Sequence, residues 1–501
     1  MRGLLLVLVG CPSGTLEVGE TGERGRDSGG VDSGTDTADT GVDPSLCDSL
    51  TPLPLDRPRS LGTFTNGEDF TFNEDGQHVS VDAQGNLVGI TIDGTQQLLY
   101  PGLGTTAGIH MLPDGSVVYA DVLNNTVVNV DYRTGDFRII AAGLSYPNGL
   151  DVGRDGMVYV AETGRGGLRR IDPATGESEV IALGLEAPNG VSFGPTWDDL
   201  YVGSFGGGAV YRLQREANDT WSRPEVFALT PEALAPVNAC AEAALGTRCA
   251  ASYYGLEGEC VSSELGYNVC EIVYDTPACV GLAVGDSCVT ELGQQSIESI
   301  CVETSAVEGA FCASAPAELV EPCAGNEQGS PCRLDDGTLA TCTPTFEGVN
   351  ICYPQATDYS EYTEPCVDQA LGAECTVESW TYPVHGVCQD GSTFGIPGNF
   401  CWTAPSLGGE FGMLDGLNVD VCGNVYATAY IAGHVYRWSA AGTEPELVVD
   451  VRSSWIPNLH WGNGVGGWEK NVLYMADRQR GGVFPLDVGV EGHGEAYEVA
   501  P

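Results

Sequence analysis

The sequence predicts an all-β protein: a six-bladed β-propeller carrying a disulfide-rich insertion of four modules between blades four and five. Three observations predict it. From about residue 60, units of about forty residues recur, each holding short strands separated by turns. Sixteen of the 19 cysteines lie between Cys240 and Cys401, where that recurrence is interrupted. The hydrophobic share of 42% is that of a folded chain.

The first eleven residues read MRGLLLVLVGC. One arginine precedes a short apolar run, too short to span a bilayer but suited to a secretion signal. Its end, Leu8-Val9-Gly10-Cys11, resembles a bacterial lipobox, which implies cleavage before Cys11 and acylation of that residue. An ordinary signal peptide or a mis-assigned start is the alternative. Pro12 stands where Asp would signal inner-membrane retention, so the resemblance implies an outer-membrane lipoprotein of a bacterial envelope, or a secreted one. Residues 12–46 are Gly, Ser, Thr, Asp and Glu with almost no large apolar side chain, an acidic disordered tether.

Blades one to four are expected over 47–232 and blades five and six over 406–501. The units begin GEDFTFNEDG, AGIHMLPDG, PNGLDVGRDG, PNGVSFGPTWDD, LDGLNVDVCG and GNGVGGWEKN. Second strands follow: HVSVD, SVVYADV, MVYVAET, LYVGSF, NVYATAY and VLYMADR. Closing six such units into a ring removes exposed sheet edges. Aligned, the units share a column at the start of each inner strand: Glu68, Ala107, Asn148, Asn189, Asp415 and Asn463. A propeller gathers that column at the mouth of its channel. Carboxylates and amides on one ring, with no Lys or Arg in the column, suit a hard dication such as Ca2+ or another divalent cation. Asn-Gly and Asp-Gly are also ordinary turn pairs, with Gly at positive φ. The column, not any single residue, favours the metal.

The insertion, 233–405, holds the sets Cys240, Cys249, Cys260, Cys270; Cys279, Cys288, Cys301, Cys312; Cys323, Cys332, Cys342, Cys352; and Cys366, Cys375, Cys388, Cys401. The first gap is nine positions in every set, the mark of a repeated module. About forty residues cannot build a self-sufficient core, so two disulfides per module are expected, in any of three pairings. Zinc is disfavoured, because close Cys-x-x-Cys pairs are missing and the compartment is oxidising. With Cys11 assigned to the anchor, Cys47 and Cys422 remain and are expected to pair. The insertion should emerge beside Asp415, as a lid, a partner-binding arm or a spacer.

A formal charge of −48, with Lys470 the single lysine, excludes nucleic-acid binding and leaves Schiff-base and P-loop chemistry without a placed lysine. The membrane is reached only through the lipid, and a monomer is expected. No HExxH or CxxC motif is present.

The strings PNGVSF and DGLNVDVCGNVYA, with the column, resemble the family of senescence marker protein, gluconolactonase and luciferin-regenerating enzyme, and the related paraoxonases and strictosidine-synthase-like proteins. The resemblance covers roughly residues 60–230 and 410–501. It implies a calcium-dependent lactonase or esterase, with Glu68, Asn148, Asn189 and Asp415 as metal ligands and Asp415 also as catalytic base. Asp69, beside Glu68, looks like a ligand to a second ion, and Asn463 like an additional rim residue. The lactonase branch expects an arginine near the third-blade Asn, where Tyr146-Pro147 stands. The paraoxonase branch has a blade-two histidine that assists water. His110 lies three positions past the column, which plain alternation puts on the opposite strand face, as a core or rim residue. Asp121, Glu162 and Asp477 end second strands and cap turns. The substrate class is a small lactone or ester. The alternative is a non-catalytic propeller that binds a surface glycan or protein, with a structural metal.

Overall fold

A computed structural model describes Cys47 and residues 61–497. Within the sheeted ring, 62–63, 66, 105, 206–207, 431, 443, 452–454 and 479–480 are excepted. Within the insertion and its flanks the exceptions are 231–239, 241–242, 251–256, 273–276, 293–294, 305–306, 314, 327–329, 335–338, 345–348, 355–362, 372, 378–383, 391–397 and 403–412. Cys11 and the tether 12–46 lie outside the described residues.

The repeated units fold into six small antiparallel sheets, numbered here in chain order. Sheets 1 to 5 each have four strands in simple sequential order, and sheet 6 has three. Their first strands are Phe70–Phe72, Ile109–Met111, Pro147–Val152, Pro188–Phe193, Leu414–Val419 and Leu459–Trp461. Each first strand packs against the next, and the sixth packs back on the first, so the chain is propeller-like. These strands are buried along their whole length. Outer strands such as Gln96–Tyr100 and Asp136–Ala142 are largely exposed. The apolar core therefore lies between sheets, for instance Val160, Leu168, Phe193, Leu200 and Tyr211 across sheets 3 and 4. The channel is left to polar side chains.

Sheet 6 gains its outer edge from the other end of the chain. Leu61 N–H donates to Val483 O at 2.9 Å, and Phe64 N–H donates to Gly481 O. Leu61 and Phe64 thus lie along the outer edge of sheet 6, although the expected boundary 47–232 counts them with the first four blades. The seam is packed by Phe64, Phe72, Trp468 and Tyr474. Covering that edge removes a template for strand addition.

The sixth unit starts earlier than the sequence alignment put it. Its inner strand is Leu459–Trp461, preceded by Pro457-Asn458, and GNGVGGWEKN is the turn that follows. Asn463 therefore lies at the far end of the strand. Its Nδ2 donates to Asn73 O at 2.8 Å, so it rims no mouth.

The insertion forms four three-stranded sheets between sheets 4 and 5. In every module the first cysteine bonds the third and the second bonds the fourth: Cys240–Cys260 and Cys249–Cys270, through to Cys366–Cys388 and Cys375–Cys401. The third and fourth cysteines face each other across neighbouring strands, as Cys260 faces Cys270. Each is taken by a different partner, so the two bridges lie side by side. In the fourth module the four cysteines themselves form the buried cluster. Cys47 is bonded to Cys422 in the turn at the foot of sheet 5. These nine disulfides fit an extracellular or envelope protein. Among the described residues no helix is long and apolar enough to cross a membrane.

The first module rests on the ring. Leu183 N–H donates to Tyr267 Oη at 2.9 Å, and Tyr267 Oη–H donates to Leu183 O at 3.2 Å. Arg165 pairs with Glu264 at 3.1 Å, and Arg223 lies over the Tyr267 ring.

Candidate functional site

The residue pairs Asn148-Gly149, Asn189-Gly190 and Asp415-Gly416 open the inner strands of sheets 3, 4 and 5. None of these glycines has positive φ, so turn chemistry is not their role. A Cβ on Gly149 would stand 2.3 Å from Asn189 O, and one on Gly190 would stand 2.2 Å from Asp415 O. Glycine is required because the backbone of the next sheet passes there. One on Gly416 would meet Asn458 at 2.3 Å, which places Asn458, not Asn463, next on the ring. The repeated Pro-Asn dipeptide was the available signal, obscured because Leu459 replaces the usual glycine.

Asn148, Asn189 and Asp415 are buried, and Glu68 is half-buried. Asn189 donates a hydrogen bond to the Asp415 carboxylate. Burial pushes the Asp415 carboxyl well above its usual range, and the negative charges of Glu68 and Asp69 add to the effect. Arg478 opposes it. Two carboxylates and the Asn189 amide thus share one enclosed mouth, with Asn148 buried at the neighbouring ring position and Ala107 contributing no donor.

Arg478 was not legible from the column. It follows the second strand of sheet 6, Val472–Asp477, and its Nη1 donates to Glu68 Oε2 at 3.2 Å and to Tyr430 Oη at 3.0 Å. The column holds no basic residue, but the site does. Tyr430 packs edge-on to Trp455 at 5.5 Å and lies 6.4 Å from Phe205, giving the mouth an aromatic wall.

Below the mouth lies a second polar layer. In sheets 3, 4 and 5 the register shifts between the mouth residue and the strand body, as between Pro188 and Val191. A bulge of this kind lets side chains three positions apart share a face. Asp151 and Asn418 therefore point into the channel, and His110 joins them rather than turning to the opposite face. His110 Nδ1 lies 3.7 Å from Asp151 Oδ1 and 3.1 Å from Glu495 Oε2. His460 Nε2 lies 3.1 Å from Asp69 Oδ1, and its ring centroid is 5.1 Å from that of His110. Burial disfavours charge on His460, but hydrogen bonding to Asp69 and the charges of Asp69 and Glu495 push it up to about 10. Asp69 Oδ1 also accepts from Phe70 N–H, and its Oδ2 accepts from Ile109 N–H. Both its oxygens thus already have partners within the protein.

Glu495 comes from the C-terminal tail, which enters the channel from the end opposite the mouth. His493 N–H donates to Val419 O, Trp461 Nε1 donates to Val490 O, and Gly492 sits against the Trp461 ring. Asp121 accepts from Asn124, and Glu162 accepts from Ser145 and Arg169, as strand-end caps do.

Residues 61–206 match the family model described as the SMP-30/gluconolactonase/LRE-like region. The match contains Glu68, Asn148 and Asn189 and ends before Asp415. No curated protein matches the chain. Solved structures similar to it include a luciferin-regenerating enzyme, 10% identical, covering 87% of this chain and 96% of that one, with a TM-score of 0.42. Another is regucalcin, described as a calcium-binding protein, from Agrobacterium tumefaciens str. C58: 13% identical, covering 87% and 95%, TM-score 0.39. A third is a gluconolactonase from Xanthomonas campestris: 19% identical, covering 44% and 86%, TM-score 0.30. The segment matched by that family model carries sheets 1 to 3 and the first half of sheet 4.

Proposed function

We propose that this chain is a six-bladed propeller whose mouth holds Ca2+ or another divalent cation on Glu68, Asn148, Asn189 and Asp415, and that it hydrolyses a lactone or ester there. One observation carries the reading: the Asp415 carboxyl is buried beside Glu68, a like-charged pair that a cation would reconcile. When bound, such an ion supplies Lewis acidity toward a carbonyl. Asp415 is the general base, taking a proton from water, and the hydrogen bond from Asn189 fixes its orientation. The aromatic wall of Tyr430 and Trp455 excludes water from one side of the acyl group. Arg478 partly offsets the acidic mouth and orients an anionic substituent of the substrate.

Arg478 also favours a second reading. It already gives Glu68 a positive partner, so the mouth would need no catalytic ion in a propeller that binds a glycan or protein, with the cysteine modules as the interaction arm. A panel of lactones and aryl esters, assayed with and without chelator, separates the two. The hydrolase reading expects chelator-sensitive turnover that Asp415→Asn lowers by about 10²–10⁴-fold. Calcium binding without turnover of any member rejects it. We further propose that Cys11 anchors the chain to the envelope; Cys11→Ser should move it to the soluble fraction, and unchanged membrane retention would reject the anchor.

A further inference from the structure

We propose that the centre of the channel is a second metal site, for a dication of the zinc class, built by His110, Asp151 and the tail residue Glu495. It is distinct from the mouth and shares no ligand with it. The three donors come from three segments: the inner strand of sheet 2, the inner strand of sheet 3 and the C-terminal tail. His110 Nδ1 is 3.1 Å from Glu495 Oε2 and 3.7 Å from Asp151 Oδ1, and all three ligand atoms lie within 4.8 Å of one another. Metal–ligand bonds of about 2.0–2.2 Å at tetrahedral angles place donors about 3.3–3.6 Å apart. The two distances from Nδ1 bracket that separation.

A second observation points to a ligand between them. His110 is buried, and its Nδ1 has no hydrogen-bond partner among the described residues, although two carboxylate oxygens stand within ion-pair range. The imidazole stands close to both acids. Three donors aimed at a common point between them would look this way.

Donor chemistry selects the metal. One imidazole and two carboxylates form a compact nitrogen–oxygen set, suited to zinc-class ions, whereas calcium takes six to eight oxygens. A neutral imidazole with two carboxylates also balances a 2+ charge. The surrounding contacts hold the ligands in place. Asp151 accepts from Val152 N–H and Phe193 N–H. His460 Nδ1 lies 3.6 Å from Glu495 Oε1, and its Nε2 is fixed on Asp69. The tail thereby becomes a ligand-bearing strap, and metal binding would tie the chain's end into the ring.

The test uses the full chain, stripped with chelator and titrated with Co2+, followed by calorimetry and visible absorption. The expected result is one equivalent showing the intense d–d band of tetrahedral cobalt, with no thiolate charge-transfer band, displaced by Zn2+. His110→Gln and Glu495→Gln should each weaken that equivalent at least about tenfold, while Glu68→Gln and Asp415→Asn leave it unchanged. Near-UV circular dichroism of the stripped variants checks their fold, and Glu495→Gln, on the tail, serves if the strand variant fails to fold. No cobalt equivalent in the wild type, persistence in both His110→Gln and Glu495→Gln, or loss in Asp415→Asn would each overturn the proposal.

Discussion

Arg478→Met should tighten divalent-cation binding at the mouth. In the folded chain Arg478 Nη1 donates to Glu68 Oε2 at 3.2 Å, so a metal on Glu68 competes with a built-in cation. Two unit charges at that distance interact by about 5 kcal/mol at an effective dielectric of 20, which is a ceiling. Both side chains are about one-fifth exposed, so solvent screens the pair. A hydrogen bond between charged groups contributes about 1.5–3 kcal/mol net, and the exposure puts this one at the lower end. Freeing Glu68 of it should lower the calcium Kd about 10-fold, and at most about 100-fold. The metal-free protein should move the other way. Glu68 and Asp415 would face each other without the guanidinium, and thermal stability should fall by about 1–2 kcal/mol. Isothermal titration with CaCl2 gives the first quantity and chelated thermal melts the second. If Arg478→Met binds calcium no more tightly than the wild type, Arg478 does not compete for Glu68. If metal-free stability is also unchanged, the ion pair at the mouth contributes nothing.

Acid should weaken the fold through His78. This ring is buried, stacked on Phe70 at 4.5 Å, and burial pushes it down to about 3. The unfolded chain takes up a proton below pH 6.5 that the folded one refuses, so stability is full above pH 6.5 and falls by about 1.4 kcal/mol per pH unit on the way to pH 3. Denaturant midpoints across that range should flatten in His78→Gln; an unaltered slope would show that other groups set the acid limb. Cys422→Ser opens a crosslink spanning 375 residues at the foot of sheet 5, away from the mouth. It should cost about 2–5 kcal/mol in urea unfolding while leaving calcium affinity at the mouth unchanged, and a lowered affinity would show that the two ends are coupled. Gly190→Ala forces a methyl group onto Asp415 O and should weaken calcium binding even where the protein still folds. Wild-type affinity in that variant would mean the strand spacing is slack.

The repeat was legible because each sheet is built from contiguous residues, so strand and turn chemistry recur along the chain. The cysteine modules were legible for the same reason, since the constant step of nine survives variable loops. Glu68, Asn148, Asn189 and Asp415 could be aligned as one column because they stand at equivalent positions of the repeat. The sequence also left Cys47 and Cys422 as the unassigned pair, and they are bonded in the structure.

Long-range packing decided the rest. The disulfide pairing depends on which cysteines meet across folded strands, not on their spacing. Asn458 was hidden because Leu459 takes the glycine position, and only the close approach of Gly416 assigns it to the ring. Bulges in sheets 3, 4 and 5 changed the strand parity that alternation assumes, and His110 meets Asp151 in the channel. Arg478 and Glu495 reach the site from a strand end and from the tail. Neither belongs to the repeated column, so no periodicity could announce them. Local sequence determines which elements form, because backbone and turn preferences act over a few residues. The electrostatics of the channel depend on charges gathered from six sheets and a chain terminus, and only the closed tertiary structure brings those together.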